Sequence, residues 1–142
     1  MEVEVENVGA RPGSEVVQVY VAPPGGGGRH PAGRLRPVKQ LKGFAKAHLA
    51  PGERRALKVT LVERSFAYYD VADAVWPEVM ARYQGRDPDQ SMAALHRPQA
   101  GWYVDAGRYE VLVGRSSADI AVSLPLDVEG GTAPLGVSAT AG

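Results

Sequence analysis

The side chains that might do chemistry are few and scattered. Ser116 and Ser117 follow Gly114, but a serine nucleophile needs a strand-to-helix elbow and a positioned histidine, and neither accompanies them. They read as turn residues. His30, His48 and His96 are separated by 18 and 48 positions, which is not metal-ligand spacing. The chain has no cysteine, so thiolate metal sites and disulfides are excluded. Gly25 to Gly28 run consecutively, yet no Gly-Lys-Ser/Thr follows them, so a flexible surface loop is expected and a phosphate cradle is not. Asp70, Asp105 and Asp119 fall at expected strand ends, where carboxylates usually cap turns. Trp102, Tyr103 and Tyr109 read as core aromatics before they read as a sugar-stacking platform. The residues therefore offer no catalytic group, no cofactor site and no metal site.

What remains is a surface. Arg36-Pro37-Val38-Lys39-Gln40-Leu41-Lys42-Gly43-Phe44 is the least generic stretch of the chain. Pro37 favours an extended entry. Beyond it Leu41, Gly43, Ala45, Ala47 and Leu49 fall on one side of a strand, with Lys42, Phe44, Lys46 and His48 on the other. Phe44 is a large ring on an otherwise charged side, and Gly43 before it marks a β-bulge or a close backbone approach. Lys39, Lys42 and Phe44 are the candidate docking surface, because an aromatic among lysines suits an interface.

Around this stretch the expected elements are short strands. Val3 and Val5 alternate with Glu2, Glu4 and Glu6. That strand has no lead-in, which points to a chain cut from something longer. Glu15 to Val21 is apolar on one face at Val17, Val19 and Val21 and partly so on the other, as a central strand would be. Pro51-Gly52 predicts a type II turn. Leu57 to Leu61, Ser65 to Val71, Trp102 to Val104, Tyr109 to Val113 and Ile120 to Leu124 complete about seven strands, which describes an all-β sandwich of immunoglobulin or fibronectin type III shape.

A segment of about 73–100 interrupts this pattern. Pro77 opens one short helix, and Asp87-Pro88 with Gln90 opens a second. This short helical insertion carries Trp76, Tyr83, Met92, Leu95 and His96, which must cover something: they are expected to cap one end of their own sandwich, and as the alternative they are candidate contacts to a neighbouring catalytic domain or its sugar site. Residues 1–129 are expected to form one domain, and 130–142, rich in Gly, Ala and Thr, a disordered tail or linker.

The totals agree with a soluble globular domain. The 142 residues suffice for one core, and 17 glycines with 11 prolines suit many short elements joined by turns. Lys plus Arg and Asp plus Glu both number 16, so no basic excess serves nucleic acid or an anionic membrane. No apolar run reaches a membrane span. The acidic, alternating start is unlike a signal peptide, and the compartment stays open.

The ordered motifs carry a resemblance. Asn7-x-Gly9-x-Arg11-x-Gly13-x-Glu15-Val16-Val17-Gln18-Val19-Tyr20-Val21, then Arg36-Pro37-x-Lys39-x-Leu41-Lys42-Gly43-Phe44, Leu49-x-Pro51-Gly52-Glu53, Tyr69-Asp70 and Trp102-x-x-x-x-Gly107-x-Tyr109-x-Val111-x-Val113-Gly114 resemble the fibronectin type III-like domain of glycoside hydrolase family 3. That family includes β-glucosidases and β-xylosidases, and the domain usually closes the chain. Two departures stand out: room for only part of a strand usual before the Asn-x-Gly turn, and the long 73–100 segment. Retaining hydrolysis needs two carboxylates roughly 5 Å apart, and in this family the resemblance places both in other domains. It therefore implies a non-catalytic accessory module whose partners are the catalytic domains of a parent β-glucosidase-type enzyme. The alternatives are a stand-alone carbohydrate-binding module and an adhesive sandwich using a free edge strand.

Overall fold

The computed structural model describes residues 1–29, 35–70 and 99–131. Ten strands follow in chain order: β1 (Glu2–Glu6), β2 (Gly13–Ala22), β3 (Gly28–Arg29), β4 (Leu35–Arg36), β5 (Gln40–Leu49), β6 (Arg54–Lys58), β7 (Tyr68–Asp70), β8 (Gly101–Tyr103), β9 (Gly107–Ser116) and β10 (Asp119–Val128). One layer is a four-stranded antiparallel sheet in the order β10-β9-β2-β5. The pairs β1-β6 and β7-β8 form the facing layer. This is the expected β-sandwich.

β2 is central, as its two-faced apolar pattern predicts. It pairs with β5 on one side and β9 on the other. Val17 and Val19 point inward and meet Val59, Val111 and Val113, with Val3, Val5 and Leu57 of the facing layer packed on them. A second cluster gathers Val21, Ala67, Val104 and Tyr109, with Phe66 and Trp102 against it. Val19 and Tyr109 are fully buried. Each buried valine contributes on the order of 1.5–3 kcal/mol of transfer free energy, so these two valine-rich clusters are the main apolar term holding the layers together.

The turns follow from their residues. Glu53 N–H donates to Ala50 O at 3.0 Å across Pro51-Gly52, and Gly52 sits at φ 72°, which is the expected type II turn. Asn7 organises the next loop. Its amide donates to Arg11 O at 2.8 Å and Leu49 O at 3.0 Å, while its carbonyl accepts from Gly9 N–H at 2.9 Å. β10 carries Pro125 in mid-strand, opposite Glu110. Proline is tolerated there because β10 is an edge, where its missing N–H breaks no ladder.

The expected helices of 73–100 lie outside the described residues apart from Gln99 and Ala100. The tail expected over 130–142 is described only at Gly130 and Gly131, and Gly131 N–H donates to Val104 O at 3.0 Å.

Candidate functional site

The surface singled out in the sequence is built on β5. Val19 pairs with Gly43 and Tyr20 with Leu41, so Lys42 is an extra residue and the strand bulges there. Gly43 also meets the close approach its type foretold. A Cβ at that position would stand 2.6 Å from Val59 Cγ1, so only glycine lets the facing layer settle so near β5. Both readings of Gly43 hold at once.

The bulge changes the phase of the strand. Gly43, Ala45, Ala47 and Leu49 turn toward the core as expected, with Ala47 and Leu49 buried. Leu41, expected on that same side, is instead 50% exposed, because the extra residue flips everything before it. Phe44 is 69% exposed, so it faces outward and adds nothing to its own core. Lys39 and Lys42 are half-buried. Leu41, Lys42, Phe44, Lys58 and Val59 line a shallow depression of about 450 Å³ on this edge. The three predicted docking residues therefore lie within one short stretch, two of them lining one feature.

Its electrostatics are one-sided. Partial burial lowers the pKa of Lys42 below its ordinary value, and the charges of Arg36 and Arg64 lower it further. The folded chain thus holds Lys42 where its charge is disfavoured, and an incoming carboxylate would relieve that.

Linked to this surface through Arg36, whose charge acts on Lys42, is a polar cluster that sequence reasoning missed. Arg36 Nη1 donates to Asp105 Oδ2 at 2.7 Å, with the two side chains only 8% and 13% exposed. The same guanidinium lies 4.3 Å from the centre of the Tyr68 ring, and Tyr68 Oη donates to Asp105 Oδ1 at 3.2 Å. Tyr109 Oη donates to Asp105 O at 3.1 Å, and burial raises that phenol's pKa. Asp105 is thus an ion-pair anchor as well as a turn residue. In the sequence Arg36 opens one ordered motif and Asp105 reads only as a turn-capping carboxylate, without any hint that they meet.

The other candidates do not converge. Asp119 pairs with Arg115 at 2.7 Å on the surface, and Ser116 Oγ accepts from Ala118 N–H, as turn residues do. His48 shares a 3.0 Å hydrogen bond with Ser14. Among the described residues no group of three His, Cys, Asp or Glu could hold a metal ion. Trp102 is no open stacking platform, since Arg64 lies 4.0 Å over its ring and Tyr69 meets it edge-on at 5.5 Å. His30 and the insertion candidates Trp76, Tyr83, Met92, Leu95 and His96 lie outside the described residues.

A two-layer β-sandwich with a bulged, basic, aromatic-bearing edge defines a fibronectin type III-like module. Comparison agrees: residues 15–83 match the family model of the fibronectin type III-like domain. The chain is 36% identical over 120 residues to the thermostable β-glucosidase B of Acetivibrio thermocellus, covering 84% of this chain and 12% of that protein. It is 39% identical over 124 residues to an exo-α-(1→6)-L-arabinopyranosidase of Bifidobacterium longum, again 12% of that protein. The crystal structure of a glycoside hydrolase family 3 β-glucosidase from Bifidobacterium adolescentis superposes with a TM-score of 0.63 at 30% identity, over 99% of this chain and 16% of that one. The chain is the fibronectin type III-like domain that glycoside hydrolase family 3 enzymes carry, and it spans about 12% of the curated relatives it matches.

Proposed function

We propose that this domain serves a β-glucosidase-type hydrolase by packing on its catalytic domains through the face made by Lys39, Lys42 and Phe44, stabilising them and bordering the substrate entrance. The observation that carries this reading is Phe44, a phenylalanine 69% exposed on a strand edge that shares one shallow depression with the half-buried Lys42. A partner with an apolar pocket rimmed by carboxylates would bury that ring and satisfy Lys42. Interface energy concentrates in such aromatic anchors, whose truncation typically costs 2 kcal/mol or more.

The test titrates the chain into the catalytic portion of the Acetivibrio thermocellus relative from which the matching segment has been deleted. Binding that raises the thermal midpoint of that portion is expected. Phe44→Ser with Lys42→Glu should weaken it at least about thirtyfold, equivalent to roughly 2 kcal/mol. A folded chain that leaves the enzyme portion unaffected, yet shows saturable calorimetric binding to a β-glucan, would overturn the proposal in favour of a carbohydrate-binding module.

A further inference from the structure

Near the bulge of β5 the fold holds an arginine in place without giving it a salt-bridge partner. The chain leaving β6 runs past that bulge, since a Cβ on Gly43 would lie 2.6 Å from Val59 Cγ1 and 3.8 Å from Leu61 Cδ2. It then closes into the short 3₁₀ turn Glu63–Ser65. Ser65 is buried there and its hydroxyl accepts from Val62 N–H at 3.1 Å. Phe66 N–H and Ala67 N–H donate to Glu63 O and Arg64 O at 3.0 and 3.2 Å. The turn presents Arg64 at the surface, with its guanidinium 4.0 Å over the centre of the Trp102 ring. Trp102 is itself fixed, packed on the second core cluster and met edge-on by Tyr69. Stacking uses the face of the guanidinium and leaves its in-plane N–H donors open.

Most cations nearby are answered, and two are not. Arg36 is held by Asp105 at 2.7 Å, and Lys58 stands opposite Glu2 across the β1-β6 pair. Among the described residues the ion pairs engage Arg36, Arg54, Arg55 and Arg115, and neither Lys42 nor Arg64 joins one. Glu63, the neighbour of Arg64 in the chain, is exposed and forms no ion pair with it. Burial lowers the Lys42 pKa most, and the charges of Arg36 and Arg64 act in the same direction. Arg64 is therefore close enough to Lys42 for the two charges to oppose each other.

We infer that Arg64 and Lys42 jointly receive a carboxylate, the aspartate or glutamate side chain of a protein partner, with Trp102 as the platform that holds the guanidinium fork in place. The inference rests on the docking reading above and names the chemistry its partner must bring. Charge selects the occupant. Two neighbouring cations repel until an anion stands between them, and a neutral sugar hydroxyl does not supply that charge. A planar carboxylate matches the guanidinium fork with two parallel hydrogen bonds and leaves an oxygen lone pair for the ammonium. A second copy meeting this one face to face would set Lys42 and Arg64 against their own kind. Phe44, in the same depression as Lys42, asks for apolar surface beside the acid, which a folded protein or peptide offers.

The test follows the Arg64 Nε–H and Trp102 indole N–H resonances of the intact 142-residue chain while a blocked Gly-Glu-Leu-Glu-Gly peptide is added. Both should shift along one saturating curve at millimolar peptide, and a Gly-Gln-Leu-Gln-Gly control should bind at least about tenfold more weakly. Arg64→Lys keeps the charge but loses the fork, so it should weaken binding about tenfold when read at the indole. Unchanged β2 and β9 amide shifts verify that this variant is folded. Four results would overturn the inference: no saturation at millimolar peptide; equal affinity of the glutamine control, which makes the contact apolar alone; equal affinity of inorganic sulfate, which makes it general anion attraction; or equal binding by Arg64→Lys, which leaves Arg64 as a cover for Trp102. In the docking titration, Arg64→Lys should likewise bind the enzyme portion about tenfold more weakly. Equal binding there overturns this inference and leaves the docking standing. An enzyme portion that binds neither protein overturns the docking, and the peptide titration then decides the site by itself.

Discussion

At the scale of single residues, the strongest commitments are Asp105 and Lys42. Breaking a buried ion pair leaves its partner charged and unsolvated, and typically costs 3–5 kcal/mol. Asp105→Leu strands Arg36 in that way, so it should lower stability by about 3 kcal/mol, read from urea midpoints at constant slope. Arg36→Met together with Asp105→Leu should lose less than the single change, because no orphan charge remains. A double variant weaker than Asp105→Leu alone would deny the pair that role. Lys42 gives a pH signature. With its pKa lowered in the fold, the unfolded chain binds the proton more tightly, so stability rises as pH climbs from the folded pKa toward the ordinary value of 10.5. Lys42→Met should therefore be the more stable protein at pH 7, by a margin kept small by solvent screening, and the gap should narrow toward pH 10.5. Tyr109 acts oppositely, its raised pKa removing stability as pH rises past 10.0, but it is common to both proteins and cancels in their difference. Equal stability of the two at pH 7 would show that the Lys42 charge is not disfavoured.

At the scale of elements, local pattern told some things and withheld others for physical reasons. The central place of β2 was legible because a strand covered on both faces is apolar on both, and the Pro51-Gly52 turn because its dihedrals demand those residues. Gly43 announced an irregularity in β5. It did not announce the outcome, since a bulge inserts one residue and reverses the phase of all that precedes it, which is why Leu41 was expected inside and lies outside. β10 was legible only from Ile120 to Leu124, because Pro125 looks like a stop until the strand is known to be an edge. Pairings such as Arg36 with Asp105, 69 positions apart, leave no trace in periodicity. The candidate docking face was readable because its parts lie within six residues. The Arg36–Asp105 anchor was not, because its parts lie 69 positions apart in the chain.

At the scale of the whole molecule, a formal net charge of zero conceals a basic β5 edge, whereas the glutamates of β1 stand opposite Lys58 and Arg54. The β5 edge suits binding. Glycoside hydrolysis with retention requires a carboxylic acid and a carboxylate roughly 5 Å apart across a bound sugar, one of them free to attack and the other to give up a proton. Several carboxylates described here are already committed. Asp105 is held by Arg36, Asp119 by Arg115, Glu53 by Arg55, and Glu4 and Glu6 share Arg54. Glu53 is further tuned toward its anion, its pKa lowered by the Ala50 backbone N–H and by Arg55, which is the reverse of what a proton donor needs. The purified chain should therefore unfold in one cooperative transition and release no nitrophenol from an aryl β-glucoside, even at enzyme concentrations where a full-length relative exhausts the substrate. Turnover that co-elutes with the chain and disappears with its thermal unfolding would place catalytic groups in this domain and reverse that division of labour.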